Sequence, residues 1–324
     1  MRPLEPFDRR RRPDEAPALC LGTMNFGKRT DRATSERILH AAVERGVALF
    51  DTANAYVGGE SERILGDALR GRRDAVLVAT KVGFGRNAGR PEGLRRERVL
   101  EACDESLGRL RMDHVDVYYL HVPDHGTPLE ETLSAVKLLL ERGKIRAFGV
   151  SNYASWQILE VNHLCDREGM QRPIISQTLY NLLIRQLDLE YAAFLRHHPI
   201  HNTVFNALAG GLLSGRYKPG DAIQKGSRFE DNKLYQGRYW STRFLELVEA
   251  YRLIASEEGL SLLELAYAWL ASSPVVDSIL VGPASMEQLD AAVAGTGRRL
   301  GAEARARIDR THLAFLGTES SYAR

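Results

Sequence analysis

Short apolar runs recur along this chain, and between them the apolar residues fall at helical spacing. The runs are Ala18–Thr23, Ala48–Thr52, Val76–Val82, Val115–His121, Ala147–Ser151, Ile174–Leu179, Thr203–Leu208 and Ser278–Val281. Each is brief and mostly apolar, the pattern of a strand buried on both faces. The segments between them change period. In Ser35–Arg45, residues Ile38, Leu39, Ala42 and Val43 share one helix face, and in Ser61–Arg70 the stripe is Ile64, Leu65, Ala68 and Leu69. Leu94–Leu110, Leu129–Glu141, Tyr153–Cys165 and Leu187–His197 repeat the pattern. Strict alternation of strand and helix predicts a parallel sheet with helical crossovers. Eight such units close naturally, so the expected fold is α/β, a (β/α)8 TIM barrel over residues 18–324 behind an N-terminal arm, 1–17. The rival is an open doubly wound sheet. It would carry Gly-x-Gly-x-x-Gly after its first strand, whereas this first strand runs into Leu21-Gly22-Thr23-Met24.

The alternation breaks once, after the seventh strand. Ala209-Gly210-Gly211-Leu212-Leu213-Ser214-Gly215 leads into a long polar loop that reaches Trp240 and holds Arg216, Lys218, Lys225, Arg228, Lys233 and Arg238. Loops of that length in compact domains are usually functional lids or disordered. A Gly-rich, basic one suits an anionic ligand such as a phosphate. Helices are predicted over Arg243–Glu258 and Leu260–Ser272 before the last strand, with an extra C-terminal helix over Ala302–Phe315. The run Arg9-Arg10-Arg11-Arg12 reads as a solvated arm without function.

A length of 324 residues fits one barrel with insertions. A net charge of +2 gives no reason to expect nucleic acid as a partner. No apolar stretch approaches the ~20 residues that span a bilayer, and Met1–Pro17 lacks the apolar core of a signal peptide. Three widely spaced cysteines, Cys20, Cys103 and Cys165, argue against a disulfide framework or zinc site. They fit a reducing cytosol, and a cytoplasmic location is expected.

Four polar residues end different strands: Asp51 and Tyr56 in Phe50-Asp51-Thr52-Ala53-Asn54-Ala55-Tyr56, Lys81 in Ala79-Thr80-Lys81, and His121 in Leu120-His121-Val122-Pro123-Asp124. In a closed α/β barrel the carboxyl ends of the strands are where chemistry is built. A free phenol is a poor acid at neutral pH. Lys81 is the cation available to lower the pKa of Tyr56, Asp51 can hold Lys81 charged, and His121 can bond the same substrate oxygen. Together they could protonate a carbonyl oxygen. No residue here stores hydride, so a nicotinamide cofactor is implied. The tract His197-His198-Pro199-Ile200-His201 reads as a surface turn and not a metal site, and Gly83-Phe84-Gly85 as an ordinary loop.

These motifs, with Gly149-Val150-Ser151-Asn152, resemble the signatures of the aldo-keto reductases, and the resemblance runs from about Ala18 to Ala292. It implies a barrel that binds NADPH in extended form, with Tyr56 as proton donor supported by Asp51, Lys81 and His121. Ser151, Asn152 and Gln177 match the positions that hold the nicotinamide carboxamide. Phe205 falls where the family usually stacks a Tyr on the ring. Leu208, Gly210 and Leu212 match the loop past the pyrophosphate, and Gly22, Thr23 and Met24 lie at the end of strand one beside the ribose. Gly282, Ser285 and Gln288 fall in the segment that resembles the 2′-phosphate site. That segment has neither the Lys nor the Arg common there, and the family's adenine-contacting Asn is replaced by Ala292. Arg228 or Lys218 could supply the missing charge, so NADPH is expected ahead of NADH.

A closer resemblance, through Arg228-Phe229, Arg238-Tyr239-Trp240 and the terminal Tyr322-Ala323-Arg324, is to the aflatoxin aldehyde and succinic semialdehyde reductases. It implies a small-molecule carbonyl substrate gripped through a carboxylate by Arg238 and Arg324, and a homodimer. Arginine's planar fork suits a carboxylate. Two other readings stay open. Some relatives are redox-sensing subunits of membrane channels with little turnover, and a barrel aldolase would use Lys81 as a Schiff-base lysine.

Overall fold

A computed structural model describes residues 3–87 and 89–318. Eight parallel strands close into a barrel: β1 (Ala18–Gly22), β2 (Leu49–Asp51), β3 (Leu77–Val82), β4 (Val115–Leu120), β5 (Ile145–Ser151), β6 (Ile175–Leu179), β7 (His201–Phe205) and β8 (Ser278–Val281). Each strand pairs with its sequence neighbours, and β8 closes the ring on β1. The crossover helices are α1 (Arg32–Glu44), α2 (Glu60–Ala68), α3 (Arg96–Leu110), α4 (Leu129–Glu141), α5 (Ser155–Arg167) and α6 (Tyr191–His197). Between β7 and β8 lie α7 (Lys233–Tyr239), α8 (Thr242–Glu257) and α9 (Leu262–Ser272). After β8 come α10 (Met286–Thr296) and α11 (Ala302–Leu316). A two-stranded antiparallel ladder, Arg86–Asn87 with Arg90–Pro91, decorates the loop after β3.

All eight predicted strands are present. Two helices were not legible in the pattern. α7 is short and mostly polar, and it is held by the side chain of Asn232, which accepts from Tyr235 N, and by burial of Tyr239. Part of the expected long loop is therefore helical. α10 buries mainly small residues, with Leu289, Ala292, Gly295 and Thr296 facing inward, so its apolar stripe is faint.

Side chains alternate along a strand, and every second residue points into the barrel. Its lower interior is filled by Cys20, Leu49, Leu77, Val117 and Ile175. One layer higher the same faces present Asp51 and Gln177, and a step above them Lys81, all buried. Gly149 makes room in this layer, because a Cβ there would stand 2.7 Å from both Tyr119 and Ile175. The barrel thus changes from apolar to polar towards the carboxyl ends of its strands.

The N-terminal arm closes the opposite end. Phe7 is fully buried against the lower apolar layer. The arginine run, expected to be solvated, is largely engaged. Arg10 pairs with buried Asp277 at 2.7 Å. Arg11 donates its backbone N–H to Asp277 (2.8 Å) and its guanidinium to the carbonyls of Val276, Ser273 and Glu15. Arg9 binds Glu15 through two 2.9 Å hydrogen bonds. Asp277 precedes β8 and leaves a buried carboxylate that these arginines neutralise. The His tract is also not one surface turn. His197 and His198 are exposed, but His201 lies inside the barrel, bonded to Arg9 O (2.7 Å) and Ser278 Oγ (2.9 Å).

Candidate active site

The four residues singled out in the sequence meet at the carboxyl end of the barrel. Lys81 Nζ donates to Asp51 Oδ1 and to the carbonyl of Thr52, the latter at 2.8 Å. It lies 5.3 Å from the centre of the Tyr56 ring and 5.6 Å from that of Tyr119. The Tyr56 and His121 rings stand edge to face with centroids 6.0 Å apart. The register explains the meeting. Asp51 pairs with Ala79, so Lys81, two residues on, emerges on the same inward face one step higher. His121 follows the end of β4, and its N–H bonds the carbonyl of Val82 (2.9 Å). Its loop is pinned by Asp124, which accepts from Leu94 N, Gly126 N and Thr127 Oγ1.

Electrostatics follow from burial. Burial, reinforced by the Lys81 charge, holds the His121 imidazole well below its usual range, so it is neutral at pH 7. Burial also pushes the Lys81 ammonium down, and Asp51 opposes that shift. The sequence led us to expect a Tyr56 pKa depressed by Lys81. Instead burial, and then the Asp51 charge, raise it above the ordinary phenol value. Lys81 is hydrogen-bonded to Asp51, so the pair presents little net positive charge to the phenol. Tyr56 therefore holds its proton firmly in the absence of substrate.

Ser151 and Asn152 end β5 beside this cluster. Asn152, at φ 61°, donates its amide to the His121 carbonyl (2.9 Å) and to Ser151 Oγ (3.1 Å). Gln177 turns its amide to Asp51 Oδ2 (2.9 Å), which gives the carboxylate a second donor. Phe205 ends β7 next to Leu179 of β6 and is partly buried. Thr23 is fully buried, with its hydroxyl against Ser61 Oγ (2.6 Å) and the Asp51 carbonyl. That places it under the site as a strut.

The basic loop folds back over the mouth. Arg228 donates to Asn25 Oδ1 (2.7 Å) and to Tyr235 Oη (3.2 Å), and lies 3.9 Å from Met24 Sδ. Asn25 in turn donates to the Gly282 carbonyl (2.9 Å). Gly22 and Gly282 flank the same corner, where a Cβ on Gly282 would lie 3.8 Å from the Gly22 carbonyl. Gly210 has φ +69°, and a Cβ there would come 2.9 Å from the Tyr235 ring, so α7 packs directly on this backbone. Leu212 is buried beneath, and the Leu208 carbonyl accepts from Gly211 N at 2.8 Å. Ser285 caps α10, Gln288 accepts from Ala284 N (2.8 Å), and Ala292 is core. Lys218 lies further along the same loop, where its backbone N–H donates to Asp221 Oδ2 (2.8 Å).

Arg238, in the last turn of α7, lies 6.0 Å from the centre of the Tyr235 ring, the ring that Arg228 approaches to 5.3 Å. Arg324 lies outside the described residues. Two contributors escaped the sequence reading. Phe84, largely exposed, packs on His121 with ring centroids 5.0 Å apart. Glu92 binds three partners in the loops around Tyr56 and Phe84. Phe84 lay in a stretch dismissed as an ordinary loop, and no signal in the sequence marks Glu92.

The residues present fit a nicotinamide dinucleotide. His121 Nδ1 is buried and has no partner among the described residues, which leaves a polar atom for a ligand in the cluster. The side-chain carbonyls of Asn152 and Gln177 and the aromatic face of Phe205 stand at the ends of β5, β6 and β7, and the guanidinium of Arg228 lies over the loop after β1. α10 follows β8, and its first N–H groups and dipole favour an anion. Among the described residues no cluster of three or more His, Cys, Asp or Glu side chains is arranged to hold a metal ion. Nor is any helix among them long and apolar enough to cross a membrane.

Comparison with known proteins agrees with this geometry. Residues 18–312 match the model of the aldo/keto reductase family. Human aflatoxin B1 aldehyde reductase member 2 is 36% identical over 303 residues, covering 88% of this chain and 83% of its own. Human aldo-keto reductase family 7 member A3 is 38% identical over 293 residues, 85% of this chain and 87% of its own. A probable voltage-gated potassium channel subunit beta of Arabidopsis thaliana is 35% identical over 272 residues, 82% of this chain and 83% of its own. The match spans nearly the whole barrel, and on that extent and identity the chain belongs to the aldo/keto reductase family.

Proposed function

We propose that this protein reduces an aldehyde or ketone to the alcohol with NADPH, using Tyr56 as the proton donor. The observation that carries the reading is the meeting of Tyr56, Lys81, Asp51 and His121 at the carboxyl end of the barrel, with Lys81 locked on Asp51. A bound nicotinamide supplies the hydride. Tyr56 gives its phenolic proton to the carbonyl oxygen as negative charge develops there. Burial and the Asp51 charge raise the Tyr56 pKa and oppose that step, so the proton leaves only as charge builds on the oxygen. Neutral His121 offers a hydrogen bond to the same oxygen. Lys81, held by Asp51, which Gln177 braces in turn, packs 5.3 Å from the centre of the Tyr56 ring and orients it for the transfer. Asn152 and Ser151 would hold the nicotinamide end of the cofactor.

The preference for NADPH rests on Arg228 at the cofactor mouth and on the N-terminus of α10. Arg238 is the anchor for a carboxylated aldehyde, a reading that gains weight from relatives named as aldehyde reductases. Cys20, Cys103 and Cys165 are free, buried thiols, as suits a cytoplasmic protein, and a homodimer is the expected assembly. The experiment is NADPH oxidation by the purified protein with succinic semialdehyde and with nitrobenzaldehyde, each repeated with NADH. Turnover with NADPH supports the reductase. A preference for the carboxylated aldehyde supports Arg238 as its anchor.

A second reading has a specific observation behind it, the relative named as a channel subunit. In that case the cofactor would bind tightly with little turnover on any carbonyl. The complete catalytic cluster favours the reductase.

A further inference from the structure

The turn that carries Tyr56 is held in an unfavourable backbone conformation. Val57, the next residue, has φ 50° and ψ 42°, and Gly58 and Gly59 follow with φ 59° and 84°. A β-branched residue rarely adopts the left-handed region. Such strain persists only where surrounding contacts over-determine the backbone. Just before this turn, Asn54 is tied to Glu92, whose side chain is 4% exposed. Its Oε1 accepts from Asn54 Nδ2 at 2.6 Å and from Arg98 Nε at 3.0 Å. Its Oε2 accepts from Gly83 N at 2.8 Å, and its own N–H bonds the Gly85 carbonyl at 3.0 Å. Asn54 lies two residues before Tyr56, and Gly83 and Gly85 flank Phe84, the ring against His121. One buried carboxylate thus joins the loop bearing Tyr56 to the loop bearing Phe84. Arg98 on α3 neutralises it and is itself braced by Glu105.

We propose that Glu92 is a positioning residue for the reduction: it fixes Tyr56 and the Phe84–His121 contact in register without touching cofactor or substrate. The inference rests on the reductase reading. A glutamine at this position keeps the shape but sets an NH2 group against one of the donors, so one loop is released.

The test uses the full-length protein and nitrobenzaldehyde. Glu92→Gln is expected to lower kcat by about 10- to 100-fold, the scale of an ångström-sized misplacement, with NADPH affinity within about twofold of wild type. Asn54→Leu removes only the contact on the Tyr56 side and is expected to lower kcat in the same way. The double variant should lose no more than Glu92→Gln alone, because both changes break one linkage. Glu105→Gln, which weakens the brace on Arg98 and a longer contact to Arg109 (3.8 Å), should leave kcat unchanged. Amide exchange over residues 53–58 should rise in Glu92→Gln and in Asn54→Leu. Unchanged kcat in Glu92→Gln, or fully additive losses in the double variant, would overturn the inference while leaving the reductase reading intact. Absence of turnover in the wild type would instead defeat the reductase reading. Amide exchange then decides the role of Glu92 by itself, and unchanged exchange over 53–58 would sink it.

Discussion

Lys81 and Asp51 form an ion pair on adjacent strands, with side chains 0% and 1% exposed. Two such charges are stable inside a barrel only because each also has other polar partners: the Thr52 carbonyl for Lys81 and the Gln177 amide for Asp51. The pair is a poor source of stability, since desolvation offsets the attraction, but leaving one member alone is costly.

That asymmetry makes a prediction. Lys81→Met leaves the Asp51 carboxylate buried without its cation and should lower unfolding stability by about 3–5 kcal/mol. Lys81→Met combined with Asp51→Leu should recover much of the loss, because no unpaired charge remains. Chemical denaturation of the three proteins measures this. A double variant no more stable than Lys81→Met would contradict the account of the pair. Turnover should be lost in both.

Stability should also fall as the pH drops below about 6.5, the unfolded histidine value. Burial holds His201 below its ordinary value, against the opposing pull of Asp277, and pushes His312 down to about 4. In the folded state these rings stay neutral where the unfolded chain already binds protons. Their contribution is complete above the unfolded value and is lost as acid draws the equilibrium towards the protonated unfolded chain. Each ring adds a slope of up to about 1.4 kcal/mol per pH unit in that window. His201→Gln should therefore flatten the decline between pH 6.5 and pH 5 by roughly one histidine's share, read from denaturation midpoints. An unchanged slope would contradict the assignment.

Arg228 gives a third test. It is the cation that bridges the loop after β7 to Asn25 and, through it, to Gly282. Arg228→Leu should weaken NADPH binding by about tenfold and NADH binding much less, the difference being a charge-assisted contact to the extra phosphate. Equal weakening of both, in a fluorescence titration, would make Arg228 a strap for the loop with no part in choosing the cofactor.

Much of this architecture was legible in the chain. The strands announced themselves as short apolar runs, and Asp51, Lys81 and His121 could be placed at strand ends because each falls at or next to the end of such a run. What was hidden depended on contacts between distant segments. The arginines at 9–11 looked like a solvated arm because nothing local shows that Asp277 would be buried at the barrel's far end. α10 was missed because its buried face is built of Ala, Gly and Thr. Phe84 and Glu92 sit in a loop of ordinary composition, and only the fold reveals that one covers His121 and the other ties two loops together. The pKa of Tyr56 was read in the wrong direction because a sequence shows that Lys81 is a cation but not that Asp51 already holds it.

The most direct test of the account is turnover and NADPH binding in Tyr56→Phe, measured side by side with the wild type. The account predicts loss of carbonyl reduction by at least about a hundredfold, the scale of a missing general acid, with NADPH affinity essentially unchanged. Retained turnover would remove Tyr56 as the proton donor, and loss of cofactor binding would mean that its ring serves the cofactor and not the reaction.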